Sequence, residues 1–331
     1  MHAHTTLPRT SPLAWQNTDE ATPTALRILQ LLFRSRRLQH PGESCARVPC
    51  LACFAPHLQA VRAFIEQQKP IVFVLPAFPA KSPNPRKVLG SLPDLAEQMA
   101  LRFLHSLGQQ IARIYAPGAR IIICSTGRVL GDLVSVPDEA VTAYGQELES
   151  LMQGLGGSAL ELFSLEHALH GNFEKMRGRL TARYADPLEQ VRERALQEPR
   201  IRALFNGLHR LLLEDEGALH PERSPTKALV RSKELACRIL QRTTAWSRII
   251  EERYPEAVRL SVYPQEAHAE QLGLSLVRTQ DPWLTPWHGV LLEQGEVLTL
   301  VRRHEAERLN ASLVWRDERP SHFVVDRSPQ R

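Results

Sequence analysis

The sequence of 331 residues has no apolar run long enough to cross a lipid bilayer. Its longest apolar stretches, Ile71 to Leu75 and Ile121 to Cys124, have the length of strands, whereas a spanning helix needs about 20 residues. The first residues also lack the basic segment followed by an apolar segment that marks a secretory signal. We therefore expect a cytoplasmic protein that does not bind membranes.

Cysteine is scarce, and the five cysteines cannot all pair into disulfides within one chain. Cys45, Cys50, Cys53 and His57 have the spacing C-x4-C-x2-C-x3-H, which resembles part of a zinc or iron–sulfur site. The other two cysteines are isolated and far apart in the sequence, so no second pair completes the pattern of a zinc ribbon. The sequence favours buried free thiols over a metal site, and zinc analysis would decide between them.

The chain has no strong excess of one charge, since it contains 41 Lys and Arg residues and 36 Asp and Glu residues. The apolar content of 43% excludes a disordered or fibrous chain. A net charge of +5 suits a local pocket for phosphate or carboxylate groups as well as it suits nucleic acid. A non-enzymatic module that binds RNA or another polyanion stays an alternative, but the chain lacks basic motifs interleaved with aromatic residues, so we expect no nucleic-acid partner.

The pattern of apolar residues predicts an α/β fold. The runs 71–75 and 121–124, the second within the predicted strand 119–125, are continuously apolar, which is typical of strands that are buried on both faces of a parallel sheet. Between them, Asp94 and Glu97 have the spacing of a capping box at the start of a helix that reaches Tyr115. Strand, loop, helix and strand form one βαβ unit, so we predict a Rossmann-like, mostly parallel sheet with helical insertions.

The rest of the chain predicts more helices and a smaller β-rich part at the C-terminus. Further helices are predicted over 25–38, 57–68, 138–154, 172–213 and 232–252, and further strands over 160–165 and 257–263. A hairpin that turns at Gln294 and Gly295 is followed by two more predicted strands, SLVWR and HFVVDR. We expect a flexible tail over 1–20, a Rossmann-like catalytic core over 21–265 and a β-rich portion over 266–331.

The loop that follows the first predicted strand is the first candidate ligand site, because ligands bind beyond the carboxyl ends of strands in open α/β sheets. The loop is stiffened by four prolines and contains Lys81, Ser82, Asn84, Arg86 and Lys87. It has neither the G-x-G-x-x-G dinucleotide pattern nor a P-loop. Fixed cations and small polar side chains suit an anionic substrate, although a solvated basic turn is the alternative.

The loop after the second predicted strand is the second candidate site, and it contains Ser125, Arg128 and Asp132. Arg128 is a candidate to bind a carboxylate. Asp132 is a candidate to act as a base or to orient a lysine. The alternative is an ion pair between Arg128 and Asp132 that only fixes the turn.

A third basic group contains Lys227, Arg231 and Lys233, with Arg238 and Arg242 farther along the same predicted helix. Clustered cations lower one another's pKa, which favours a neutral lysine that attacks a carbonyl. A solvated basic helix face is the alternative interpretation. His288 lies in the segment WLTPWHG, whose two tryptophans are candidates for the wall of an aromatic pocket.

Three segments have a longer and chemically unusual pattern: LPAFPAKSPNPRKVLGSLPDLAEQMAL (75–101), IYAPGARIIICSTGRVLGDL (114–133) and VPDEAVTAY (136–144). They resemble the pyoverdine/dityrosine biosynthesis family, whose bacterial members include isocyanide (isonitrile) synthases. The resemblance extends from about residue 25 to 315 and is less sharp in the C-terminal half. It departs from the family pattern S-D-G-R-V-F-x-D, because Thr126 replaces the acidic residue and Leu130 the aromatic one. If that acid takes part in catalysis, this protein works more slowly, accepts a different substrate or relies on Asp132.

The resemblance implies an enzyme that condenses an aromatic L-amino acid, L-tyrosine first and L-tryptophan second, with D-ribulose 5-phosphate to give a 2-isocyano acid. The amine and the C2 ketone of the sugar would form an imine, and a lyase-type fragmentation with loss of phosphate would leave C2 as the isonitrile carbon. The implied pathway is secondary metabolism of the paerucumarin or pyoverdine type, with an Fe(II)/2-oxoglutarate oxygenase as a neighbour. No metal or organic cofactor is implied, and another phosphosugar-binding enzyme on the same fold is the alternative.

On this interpretation the active site would consist of residues from the two loops and from the basic helix described above. The expected catalytic residues are Lys81, Asp132 and Lys233. The expected substrate-binding residues are Ser82, Asn84, Arg86, Lys87, Ser125, Arg128, Lys227, Arg231 and His288.

Overall fold

The structure is a computed structural model that describes residues 20–40, 44–157 and 159–325. It contains a five-stranded parallel sheet covered by helices, followed by a four-stranded mixed sheet. The predicted α/β class is confirmed, with a Rossmann-like core and a smaller β-rich C-terminal part. Residues 1–19, most of the predicted tail, lie outside the described residues.

The main sheet has the strand order β3-β2-β1-β4-β5, and all neighbours are parallel. Its strands are β1 (Ile71–Pro76), β2 (Ala119–Cys124), β3 (Leu160–Phe163), β4 (Val258–Ser261) and β5 (Leu272–Gly273). The smaller sheet has the order β7-β6-β9-β8, with β6 (Val290–Gln294), β7 (Val297–Val301), β8 (Ser312–Arg316) and β9 (Arg319–Val324). The hairpin predicted at Gln294 and Gly295 is the antiparallel pair β6–β7.

Helices connect the strands and cover both faces of the main sheet. They are α1 (Ala21–Phe33), α2 (Leu51–Glu66), α3 (Leu95–Ile114), α4 (Gly127–Leu130), α5 (Asp138–Gly154), α6 (Leu165–Ala168), α7 (Phe173–Tyr184), α8 (Leu188–Gln197), α9 (Pro199–Leu219), α10 (Pro225–Arg253) and α11 (Arg303–Arg308). In the part of the chain that the structure describes, no helix is both long and apolar enough to cross a membrane.

Successive side chains of β1 point to opposite faces of the main sheet, and both faces are buried. Phe73 and Leu75 of β1 belong to a buried cluster with residues of α1, α2 and α3 on one face of the sheet. Val74 points to the other face, where it shares a cluster with Met176 of α7 and Trp246 of α10. Because helices cover both faces, every position of the strand is apolar.

Several boundaries differ from the predicted ones, mostly at prolines. The helical stretch predicted over 172–213 is three helices, since Pro187 and Pro199 each start a new one. Helix α2 begins six residues before its predicted start and accommodates Pro56 in its second turn. Helix α10 begins at Pro225 rather than at residue 232, because proline is well suited to the first helical position.

Candidate functional site

An open cleft of about 840 Å³ lies where β2 and β3 end, between the segment after β2 and helices α7 and α10. This edge of the sheet is where open α/β proteins bind ligands, and the volume suits small molecules. The strand order reverses between β1 and β4, where the rule expects a ligand, but there the turn Pro286–His288 packs against the loop after β1. The cleft over β2 and β3 is therefore the candidate site.

Two arginines and three carboxylates, those of Asp132, Asp138 and Glu174, line this cleft. The Arg177 guanidinium donates hydrogen bonds to both carboxylate oxygens of Asp138 at 2.9 Å. Arg242 donates to Oδ1 of Asp132 at 2.5 Å, and the same oxygen lies 3.6 Å from Nε of Arg177. The hydrogen bonds from Arg177 lower the pKa of Asp138, so this carboxyl is ionised at neutral pH. The cleft thus presents fixed charges of both signs, which suits a substrate that has both an anionic group and an amine.

Arg128 lies buried beside the cleft and is fully engaged within the protein. Its Nε donates to Glu166 at 2.6 Å, and its two terminal nitrogens donate to the Asp138 carbonyl oxygen at 2.6 Å and to Thr142 Oγ1 at 2.5 Å. The guanidinium also stacks 3.7 Å from the ring centre of Phe173, which lines the cleft. Arg128 thus links the segments that follow β2 and β3.

The two departures from the family pattern lie in the same segment. The backbone carbonyl of Thr126 accepts hydrogen bonds from Val129 and Leu130 and so starts α4. Leu130 is partly buried and packs against the apolar clusters on either side of α4. Asp132 follows within the next turn and lines the cleft, where its Oδ1 lies close to both Arg242 and Arg177.

Lys81 of the first loop is entirely buried in an ion-pair network. Its Nζ lies 2.8 Å from carboxylate oxygens of both Asp94 and Glu97 and donates to the Pro286 carbonyl oxygen at 3.1 Å. The Tyr144 hydroxyl donates to the other oxygen of Glu97 at 3.2 Å. Burial lowers the pKa of Lys81, but the two carboxylates outweigh it and leave that pKa raised, so the amine stays charged.

The other polar residues of the first loop bind mainly to α9. Asn84 donates to Asp215 at 2.8 Å, and the Lys87 ammonium lies 2.8 Å from the same carboxylate. Ser82 accepts a hydrogen bond from the Asn84 backbone at 3.2 Å, which tightens the turn. Arg86 is exposed and forms no ion pair with any residue in the described ranges. Ser125 of the second loop donates to the Phe78 carbonyl oxygen at 2.9 Å and so joins the two loops.

His288 lies at the junction of the first loop and the smaller sheet. Its Nδ1 is 3.1 Å from the Thr285 hydroxyl. Burial, together with the nearby charges of Lys87 and Lys81, lowers the pKa of His288 to about 3, so the imidazole is neutral at physiological pH. The tryptophans around it have different surroundings, since Trp287 is buried and Trp283 is exposed.

The third basic group lies on the N-terminal half of α10 and does not line the cleft. Lys227, Arg231 and Lys233 are exposed there, and Arg231 lies 3.0 Å from Glu216 of α9. Asp215 of α9 contacts Lys87 of the first loop, and the next residue, Glu216, contacts Arg231. Helix α9 therefore contacts both the first loop and this basic group.

Sequence reasoning did not select Arg177, Asp138 or Phe173, and it noted Arg242 only as a helix residue. These residues come from three helices, α5, α7 and α10, and no local motif marks them.

Comparison with known proteins indicates the family of this chain. The family model described as pyoverdine/dityrosine biosynthesis protein matches residues 61–314. An L-tryptophan isonitrile synthase of Fischerella ambigua, AmbI1, is 42% identical over 90% of this chain and 94% of its own length. An L-tyrosine isonitrile synthase of Pseudomonas aeruginosa is 39% identical over 88% of this chain and 91% of its own.

A solved structure is similar to the whole fold. The crystal structure of the PvcA protein from Pseudomonas aeruginosa superimposes with a TM-score of 0.85 at 38% identity, covering 91% of this chain and 99% of that one. The resemblance noted in the three sequence segments is therefore confirmed over nearly the full length. The chain belongs to the pyoverdine/dityrosine biosynthesis family.

Proposed function

We propose that this protein is an isonitrile synthase that joins an aromatic L-amino acid to D-ribulose 5-phosphate. The observation that carries the proposal is its similarity, over about nine tenths of the chain, to relatives named as isonitrile synthases. We place L-tryptophan before L-tyrosine as the substrate, which reverses the order expected from the sequence, because the tryptophan enzyme is the more similar of the two.

The cleft has the charges that this reaction needs. Arg177 and Arg242 are cations at its wall and would bind the phosphate of the sugar and the carboxylate of the amino acid. Imine formation at C2 of the sugar requires a neutral amine and releases water. Asp132 is the proposed base that takes a proton from the amine, since its carboxylate lines the cleft and is partly exposed.

The first loop contributes differently in this proposal. Lys81 is a positioning residue, because its charged amine is buried between two carboxylates and does not reach the cleft. Arg86 is exposed and attracts the anionic sugar, while Lys87 and Asn84 hold the loop against α9. Lys233 lies on the exposed surface of α10. Its role as a proton carrier stays a prediction from the sequence.

The direct test is to incubate the purified protein with ribulose 5-phosphate labelled with carbon-13 at C2 and with each aromatic amino acid in turn. We expect a product with the infrared stretch of an isonitrile and with the label in its isonitrile carbon. A reaction without the sugar is the control. Failure to form labelled isonitrile with every aromatic amino acid would contradict the proposed function.

A gene for an Fe(II)/2-oxoglutarate oxygenase beside this one would fit further conversion of the product.

Replacing Arg177 by glutamine tests the proposed site. We expect kcat/KM to fall about tenfold to a hundredfold, because a charge-assisted hydrogen bond to an anionic substrate stabilises binding by about 1.5–3 kcal/mol. Arg183→Gln on the same helix is the matched control, since Arg183 is exposed and does not line the cleft. Full activity of a folded Arg177→Gln variant would exclude Arg177 from substrate binding.

A further inference from the structure

Three cysteines and a histidine meet near the start of α2, away from the cleft. Cys45 lies in the short turn Ser44–Ala46, Cys50 caps α2, Cys53 is in its first turn, and His268 comes from the loop between β4 and β5. The three Sγ atoms and Nε2 of His268 all lie within 4.8 Å of one another. All five cysteines of the chain are free thiols.

Four of the six distances among these atoms are close to those of a tetrahedral zinc site. Around one zinc ion, thiolate sulfurs are about 3.8 Å apart and a sulfur and an imidazole nitrogen about 3.6 Å apart. Cys50 Sγ lies 3.5 Å from Cys45 Sγ and 3.7 Å from Cys53 Sγ. His268 Nε2 lies 3.7 Å from Cys45 Sγ and 3.3 Å from Cys50 Sγ. The other two distances are within 4.8 Å, so four soft or borderline ligands lie close enough together to bind one ion.

We propose that Cys45, Cys50, Cys53 and His268 bind one zinc ion. The set of three thiolates and one imidazole completes a four-coordinate sphere and leaves no position for substrate, which is the character of a structural site. None of the four residues lines the cleft. The ion would therefore stabilise the fold and take no part in the proposed reaction.

The fourth ligand is not the histidine that the sequence spacing suggests. His57 is buried and lies against Phe33, with 6.3 Å between the ring centres. His268 takes its place from a loop more than 200 residues downstream. The sequence-based preference for free thiols rested on the lack of a second pair of ligands nearby, and the fold brings the missing ligand from that distance.

Arg36 provides a charge that fits a bound metal. A zinc ion with three thiolates and a neutral imidazole has a net charge of −1. The Arg36 guanidinium lies beside the Cys53 thiol, and its two terminal nitrogens are buried with no hydrogen-bond partner among the described residues. The guanidinium also lies over the Phe33 ring, 5.2 Å from the ring centre, and an anionic metal centre next to it would compensate its charge.

The ion would fasten the loop after β4 to the N-terminal helices. That loop already pairs with the segment after α1, because the backbone amide of Arg37 donates to Gly273 and that of Gln39 donates to Gln265. His268 lies on the exposed side of the same loop. A metal bound there would cross-link the two segments to the start of α2 through coordinate bonds and raise the stability of this edge of the sheet.

Elemental analysis of the tag-free protein, purified without chelator, tests the proposal. We expect one zinc per chain in the wild type and loss of most of it in Cys50→Ser and in His268→Ala. Cys237→Ser and His304→Ala are the matched controls, since neither residue belongs to the cluster, and they should retain the metal. Zinc at background in the wild type, or equal zinc in His268→Ala and His304→Ala, would overturn the proposal.

A second measurement does not depend on how the protein was purified. Cobalt(II) added to metal-free protein should give the thiolate charge-transfer band and the intense visible bands of a tetrahedral site, and His268→Ala should weaken them. A chelator should lower the unfolding temperature of the wild type more than that of His268→Ala. Absence of the cobalt bands would contradict the site. Isonitrile formation is measured separately, so either proposal can fail alone.

Discussion

Replacing Lys81 by methionine should destabilise the protein by about 3–5 kcal/mol at neutral to alkaline pH, because the change leaves two buried carboxylates without their cation. Lys81 and Glu97 side chains are fully buried and Asp94 nearly so, so water does not replace the lost ion pairs. Methionine keeps most of the volume of the lysine chain, so the effect reports the charge rather than a cavity. Denaturant unfolding of both proteins measures it.

The loss should depend on pH in a defined direction. Burial raises the pKa of Glu97 to about 7 from its ordinary 4.5, even with Lys81 close by. The folded wild type therefore binds more protons than the unfolded chain in this range, and its free energy of unfolding falls as pH rises from about 4.5 to 7. Without Lys81 the pKa of Glu97 rises further, so the deficit of the variant should be larger at about pH 8 than at about pH 5.

A second substitution and a surface control make this test specific. Glu97→Gln added to Lys81→Met should recover part of the lost stability and flatten its pH dependence, because one unpaired buried charge is removed. Lys69→Met should change stability by less than about 0.5 kcal/mol, since the Lys69 side chain is exposed and its ammonium donates to Gln67, a close neighbour in the sequence. A deficit that shrinks as pH rises would contradict the assigned network.

The elements that the sequence predicts best are those whose signals are local. The observed bounds of β1, β2 and α3 lie within one residue of the predicted ones. These elements are predictable because an apolar run and a capping box are both patterns of residues that are close in the sequence. The two-residue strand β5 has no such signal, and in the short helix α11 the capping glutamate, Glu305, follows Arg302, a residue type that does not predict an N-cap. Strand β5 also lies beyond the predicted boundary at residue 265 and still completes the main sheet.

The candidate site was less predictable because it depends on contacts between distant segments. The sequence marks Arg128 as a cation available to substrate, but Glu166 and Thr142 occupy its nitrogens. Arg177 lies 49 residues after Arg128 and reaches the cleft only because α7 packs there. A local pattern shows that a charged side chain is present, but it does not show whether the fold has already paired that charge.

Replacing Gly127 by alanine should destabilise the protein by about 3 kcal/mol or more, because the new methyl group meets backbone on one side and a branched side chain on the other. A Cβ atom at this position would lie 2.0 Å from the Pro79 carbonyl oxygen and 2.7 Å from Cγ1 of Val141. Ser125, two residues earlier, ties the same two loops through its bond to the Phe78 carbonyl. Relief of the clash thus requires the loops after β1 and β2 to separate, which would also displace Arg128.

Gly145→Ala is the matched control for this substitution. Gly145 lies within α5, and a Cβ atom there meets nothing within 4 Å. Alanine should therefore stabilise the protein by about 0.5–1 kcal/mol through its helix propensity. Thermal and denaturant unfolding should move in opposite directions for the two variants, with isonitrile formation impaired only in Gly127→Ala. If Gly127→Ala were as stable as the wild type, the close contact between the two loops would be wrong, and with it the placement of Arg128 beside the cleft.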